Sequence, residues 1–246
     1  MTRRSGGTLG ACILYIAALS GVGYSSGQEV ARFFARYGTT GFVTLLTVPV
    51  LLFGMSFLFV RTAQKKAASG DERVFVSGGR GIVSRFSDGI LTLVMVLGVV
   101  LPITAAGSLL RRLCSAPVWL GNVLLTLLIG AALLVHNMQL VVRIMTPLMY
   151  VFIGCIFVIC LTVLLTGHAG EPAEYAGDGK WLLAGASLFQ YISFNLLCLF
   201  GVLFAVGKDV STAKGAVVCC GAGAAVIGAT LLLQYLTIRR LGAPAT

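Results

Sequence analysis

The chain reads as an all-helical integral membrane protein of about seven spans, on three observations. Hydrophobic residues make up 58% of the 246 and charged residues 11%. The mean hydropathy of +0.98 lies far above that of soluble globular domains. The apolar residues fall in long unbroken runs, near the ~20 residues that a helix needs to cross a ~30 Å hydrocarbon core, and none shows the ~10-residue alternation of a barrel strand.

Seven such segments follow one another, at 9–37, 41–60, 88–110, 118–135, 144–166, 181–206 and 216–238, within a single membrane domain covering residues 1–246. The first is broken near its middle by GVGYSSGQEV, Gly21 to Val30. The second runs without interruption to Arg61, and the stretch RTAQKKAASGDERVFVSGGRGIVSR that follows reads from its glycines and serines as a loop with a short amphipathic turn. Its SGGRG lacks the lysine and hydroxyl of a phosphate-binding loop. The third and fifth segments carry Pro102 and Pro147, which kink helices. The sixth holds the polar patch QYISFN, and the seventh a run of small residues, Gly221 to Ala225 with Gly228, that lets another helix approach closely. Seven cysteines, six of them inside apolar runs and none in C-x-x-C spacing, read as packing residues rather than as metal ligands or disulfides.

The net charge of +10 does not point to nucleic acid, because the basic residues fall between apolar runs instead of gathering on one soluble face. They read as topology signals. With the N-terminus inside, Arg3, Arg4, Arg61, Lys65, Lys66, Arg73, Arg80, Arg85, Arg143, Lys208 and Lys214 lie on the cytoplasmic side, eleven of the 18 basic residues. The acidic loop with Glu171, Glu174 and Asp178 then lies outside. Enzymatic activity is not expected: His136 and His168 fall on opposite sides of the membrane, and no hydrolase or zinc-protease motif occurs.

Polar, non-helical backbone at membrane depth survives only where protein or a water-filled cavity surrounds it. That makes the first interruption informative. Gly21, Gly23 and Gly27 permit an early end to the helix and a close approach of ligand to backbone. Carbonyls freed there suit a cation and freed amides an anion. Tyr24, Ser25, Ser26 and Gln28 add donors and acceptors, and Glu29 adds a charge. Gln190, Tyr191, Ser193, Phe194 and Asn195 lie at the corresponding depth of the sixth segment. Two interruptions five spans apart point to a transporter of inverted repeats with its site at the midplane between them.

GVGYSSGQE resembles the Gly-x-Gly-aromatic-small-small-Gly-Gln-Glu signature of the first helix in YkvI-type membrane proteins, a bacterial family of the LeuT-fold (amino acid, polyamine and organocation) superfamily. QYISFN is similar to that family's Gln-Tyr-x-Ser-aromatic-Asn element, and HNMQLVVRIMTPLM resembles the start of its fifth helix. The resemblance implies a LeuT-like inverted repeat, the first at about 9–166 and a partial second at about 181–238, with helices 1 and 6 discontinuous around a small-molecule solute such as an amino acid or related cation. It implies a bacterial cytoplasmic (inner) membrane and no cofactor beyond a coupling ion, sodium or a proton, with a candidate sodium position at the backbone near Gly21 and Val22. A complete ten-helix fold would continue for three more spans. The expected partners are therefore the lipid bilayer and either further copies of the chain or a missing C-terminal half. The alternative is a truncated or scaffold membrane protein that does not transport alone.

Overall fold

The computed structural model describes residues 7–20, 24, 27–68, 82–134, 138–166, 179–210 and 212–242. Helix follows helix: α1 (Gly7–Leu19), α2 (Gln28–Phe33), a 3-10 turn (Ala35–Tyr37), α3 (Gly38–Ala68), α4 (Ile82–Cys114), α5 (Val118–Leu134), α6 (Met138–Thr166), α7 (Trp181–Asp209) and α8 (Ala213–Leu241). No strand occurs among the described residues, and the fold is all-α. Four stretches are long and apolar enough to cross a membrane: Gln28–Lys65, Pro147–Thr166, Trp181–Leu203 and Ala213–Leu241. Gly10–Leu19 and Val118–Ala131 are equally apolar in character but shorter.

The chain divides into two compact units, Met1–Glu72 with Met145–Thr246, and Arg73–Ile144. In the first, α1, α3, α7 and α8 each bury one stripe at three- and four-residue spacing. On α3 it runs through Leu45, Val48, Leu52, Ser56 and Val60, and on α7 through Ala184, Ser187, Tyr191, Asn195, Leu199 and Leu203. The opposite faces are apolar too, with Val50, Leu58, Leu182 and Phe189 exposed. A helix that is hydrophobic all round belongs in a core or a bilayer. Phe152, Ile156 and Cys160 of α6 pack on the same core.

Lipid tails are as apolar as leucine, so helices in a membrane gain by close van der Waals contact rather than by leaving water. The glycines serve that contact. A Cβ at Gly207 would overlap that of Ala63, one at Gly223 would overlap the Tyr15 ring, and one at Gly228 would lie 2.9 Å from Pro49 Cβ. Gly228 thus makes room for the proline ring that interrupts the hydrogen-bond ladder of α3. Tyr15 and Ile16 meet Gly223, the Tyr24 carbonyl meets Gln234, and Gly27 faces Ile238. Residue numbers rise together along both partners, so the first segment runs parallel to α8.

At the far end of α3, Gln64 Nε2 donates to the carbonyls of Val210 (2.5 Å) and Thr212 (3.3 Å), clamping the turn between α7 and α8. The Thr212 hydroxyl caps α8 by accepting from Gly215 N at 3.1 Å. The second unit contains the α4–α5 hairpin, joined at Ser115 to Pro117, where Ser115 takes a φ of 53°. Its helices cross at Gly107 and Gly121, whose backbones leave no room for a side chain on either.

Two expectations are corrected. The basic stretch after the second segment is helical at both ends, because α3 continues to Ala68 and α4 starts at Ile82; residues 69–81, with SGGRG, lie outside the described residues. The sixth segment is one continuous helix, Trp181–Asp209, and the discontinuity expected there is not found. Its sequence holds no glycine or proline between Gln190 and Phe200, and the Asn195 side chain bonds back to the carbonyl of Tyr191 at 2.9 Å, reinforcing the helix it was expected to interrupt.

Candidate functional site at the end of α1

Helix α1 closes at Ser20, whose amide donates to the carbonyls of Ile16 (3.0 Å) and Ala17 (3.2 Å) while its hydroxyl donates to Ile16 O at 2.9 Å. Tyr24 is itself helical, and α2 begins after Gly27, which adopts a φ of 71°. Left-handed backbone of this kind suits glycine, since a Cβ would clash with its own carbonyl. From there the Ala31 amide donates to Gly27 O at 2.9 Å and starts α2. The Tyr24 carbonyl accepts two bonds, from Gly27 N at 3.3 Å and from Gln234 Nε2 of α8 at 2.8 Å. Gly21, Gly23, Ser25 and Ser26, with the candidate sodium position at Gly21 and Val22, lie outside the described residues. The same holds for His136, His168 and the acidic loop.

The walls come from α2, α7 and α8. Ser187 Oγ donates to Phe33 O at 2.9 Å and ties α2 to α7. The Phe33 and Phe34 rings stand 5.5 and 5.2 Å from that of Tyr191, tilted and edge-on, as aromatic quadrupoles favour. Tyr235 OH donates to Gly38 O at 2.6 Å, holding the start of α3 against α8. Gly41 has no room for a Cβ, which would overlap the Phe34 carbonyl. The chain therefore folds back tightly from α2 into α3.

Inside these walls polar groups are left over. Tyr24 is fully buried, and its hydroxyl has no hydrogen-bond partner. Gln234, 4% exposed, uses its Nε2 on the Tyr24 carbonyl and leaves Oε1 without a partner. Glu29, in the first turn of α2, is half-buried. Its carboxyl lies within electrostatic reach of Tyr24, Tyr191 and Cys198.

The structure divides the predicted residues. Tyr24, Gly27, Glu29, Tyr191 and Asn195 gather at the end of α1, with Tyr191 and Asn195 on the buried stripe of α7. Gln190, Ser193 and Phe194 lie off that stripe and are exposed, as is Gln28 on α2. With 3.6 residues per turn, positions 187, 191 and 195 share a face and 193 points away from it, while 190 and 194 fall at its edge.

Gln234, Tyr235 and Ser187 were missed by sequence reasoning. Gln234 and Tyr235 do carry a signal, an amide and a phenol side by side in the otherwise apolar TLLLQYLTI. Tyr235→Phe removes the bond to Gly38 and should lower stability by about 0.5–1.5 kcal/mol, the net worth of one such bond. A fall of a few degrees in the thermal midpoint of the purified protein checks it, and an unchanged midpoint would assign the contact no weight.

No protein-family model, curated protein or solved structure matches the chain. The functional reading therefore rests on the residues at this site.

Proposed function

We propose that the chain is a secondary-transporter-like membrane protein that binds a small organic solute, an amino acid or related cation, where α1 gives way to α2, and couples its movement to sodium or protons. In this reading α1 and α2 are the two halves of one discontinuous LeuT-type helix, with the N-terminus in the cytoplasm. One observation carries it: the Tyr24 hydroxyl and Gln234 Oε1 are buried without partners beside a half-buried carboxylate, close to the left-handed turn at Gly27. A buried polar atom left unpaired costs about 1–3 kcal/mol, and native structures keep few of them. A solute or hydrated ion that bonded to them would recover that cost. Ionisable residues at membrane depth mark solute and ion pathways for the same reason.

A thermal-shift screen of the purified protein tests the reading. Amino acids and small amines are scanned with and without sodium, at mildly acidic and mildly alkaline pH. At least one compound is expected to raise the midpoint, with the rise dependent on sodium or pH. At a hundredfold excess over its dissociation constant a ligand stabilises by about 2.7 kcal/mol, readily visible in a melt. No shift with any compound under any condition would sink the proposal.

A further inference from the structure

We propose that Gln234 is the positioning residue that anchors the first segment at Tyr24, just before the left-handed turn at Gly27, and that solute arriving at the site engages the free end of the same carboxamide. The second clause rests on the proposed function; the first does not. In a continuous helix the carbonyl of residue 24 would accept from the amide of residue 28. Here its shortest bond is instead the 2.8 Å one from Gln234 Nε2, with the amide of Gly27 at a longer 3.3 Å. A side-chain amide on α8 thus supplies this carbonyl with a shorter bond than the backbone of Gly27 does. Inside a bilayer that donor matters, because no water is present to satisfy a carbonyl beside a turn in the chain.

The bond also fixes the carboxamide. With Nε2 committed to the Tyr24 carbonyl, Oε1 is held as a buried acceptor without a partner, beside the segment whose Tyr24 hydroxyl is likewise unpaired. A donor group on the solute that bonds to Oε1 polarises the amide and strengthens donation from Nε2. Occupancy is thereby read as a firmer hold on the first segment at Tyr24. The surroundings support a role at the interruption rather than in general packing. The Gln234 side chain bonds to the backbone at Tyr24, whereas Ile238, one turn further along α8, meets Gly27 through an apolar contact and Leu231, one turn earlier, belongs to the apolar core.

Hydrogen exchange measured by mass spectrometry on the purified full-length protein separates positioning from packing. Gln234→Met keeps the volume and the flexibility and removes the donor. It is expected to speed exchange of the amides from Gly27 to Phe33 about tenfold, the effect of losing one bond worth ~1.4 kcal/mol on a local opening, while α3 and α7 exchange as before. Gln234→Leu should do the same. Leu231→Ala, a cavity at a fully buried position one turn earlier, is the packing comparison and should speed exchange in α3, α7 and α8 together. Unchanged exchange from Gly27 to Phe33 in both Gln234 variants would overturn the proposal. So would acceleration spread evenly over the helices, or failure of both variants to fold, since either assigns Gln234 to the common core. A failed solute screen beside a positive exchange result would remove the transport reading and leave the positioning role standing.

Discussion

Glu29→Gln is expected to cut initial uptake of the solute found in the thermal-shift screen by about 10–100-fold in proteoliposomes, the loss of one charge-assisted contact worth ~1.5–3 kcal/mol. The substitution is isosteric, so the half-buried position in the first turn of α2 stays filled and the fold is kept. What disappears is the charge. A proton, a sodium ion or a substrate amine each needs that charge, and the loss should therefore persist across the pH range in which the parent protein is active. Arg32→Gln is the comparison: it changes an exposed charge one turn further along the same helix, and uptake should remain near the parent level. Uptake by Glu29→Gln that equals the parent at every pH would remove Glu29 from the mechanism.

Gly223→Ala is expected to lower stability by about 1–3 kcal/mol, as inserting a methyl into a filled interface does. The new Cβ would overlap the Tyr15 ring. That ring cannot swing aside freely, because it is fully buried and its hydroxyl donates to Ser56 Oγ on α3 at 2.8 Å. A single added carbon thus strains the contact between α1 and α8 and threatens a bond to a third helix. Gly223→Val should fail to give a monodisperse folded peak in detergent. Tyr15→Ala in the Gly223→Ala background should recover part of the loss, so the pair would be non-additive in a double-mutant cycle. Full additivity would show that the two residues do not share the clash.

How much of this was legible in the sequence depended on the kind of signal. Continuous apolar runs located the cores of α3 to α8, because length and composition alone decide whether a helix suits a membrane. Glycine at position 27 marked the end of the interruption, since its left-handed backbone leaves a trace in residue choice. The polar patch of the sixth segment was read as one site because its members are adjacent in sequence. The continuous helix instead distributes them, with Tyr191 and Asn195 buried and Gln190, Ser193 and Phe194 exposed. The 3.6-residue rule anticipates this for Ser193, whereas Gln190 and Phe194 fall at the edge of the buried face, where packing decides. Gln234 stood out in its apolar run, but its role was not legible, for another reason. Its partner is a backbone carbonyl 210 residues away, and a lone glutamine in an apolar run looks the same whether it meets a neighbouring helix or a ligand. Helix continuation past Val60 to Ala68 was obscured by charge, although Lys65, Lys66 and the alanines around them are good helix formers.

The bonds from Gln234 to Tyr24 and from Tyr235 to Gly38 span 210 and 197 residues, which sets an order on biosynthesis. During translation α1 and α2 leave the ribosome long before α8 exists. Throughout that interval the Tyr24 carbonyl and the first turn of α3 wait without the side chains that will bond to them. The nascent chain must either hold this segment at the water interface or shelter it behind an insertion factor until α8 arrives. Assembly of the site waits for α8, and a ribosome that stalls before Gln234 leaves a membrane-inserted chain in which Tyr24 lacks its bond to that helix.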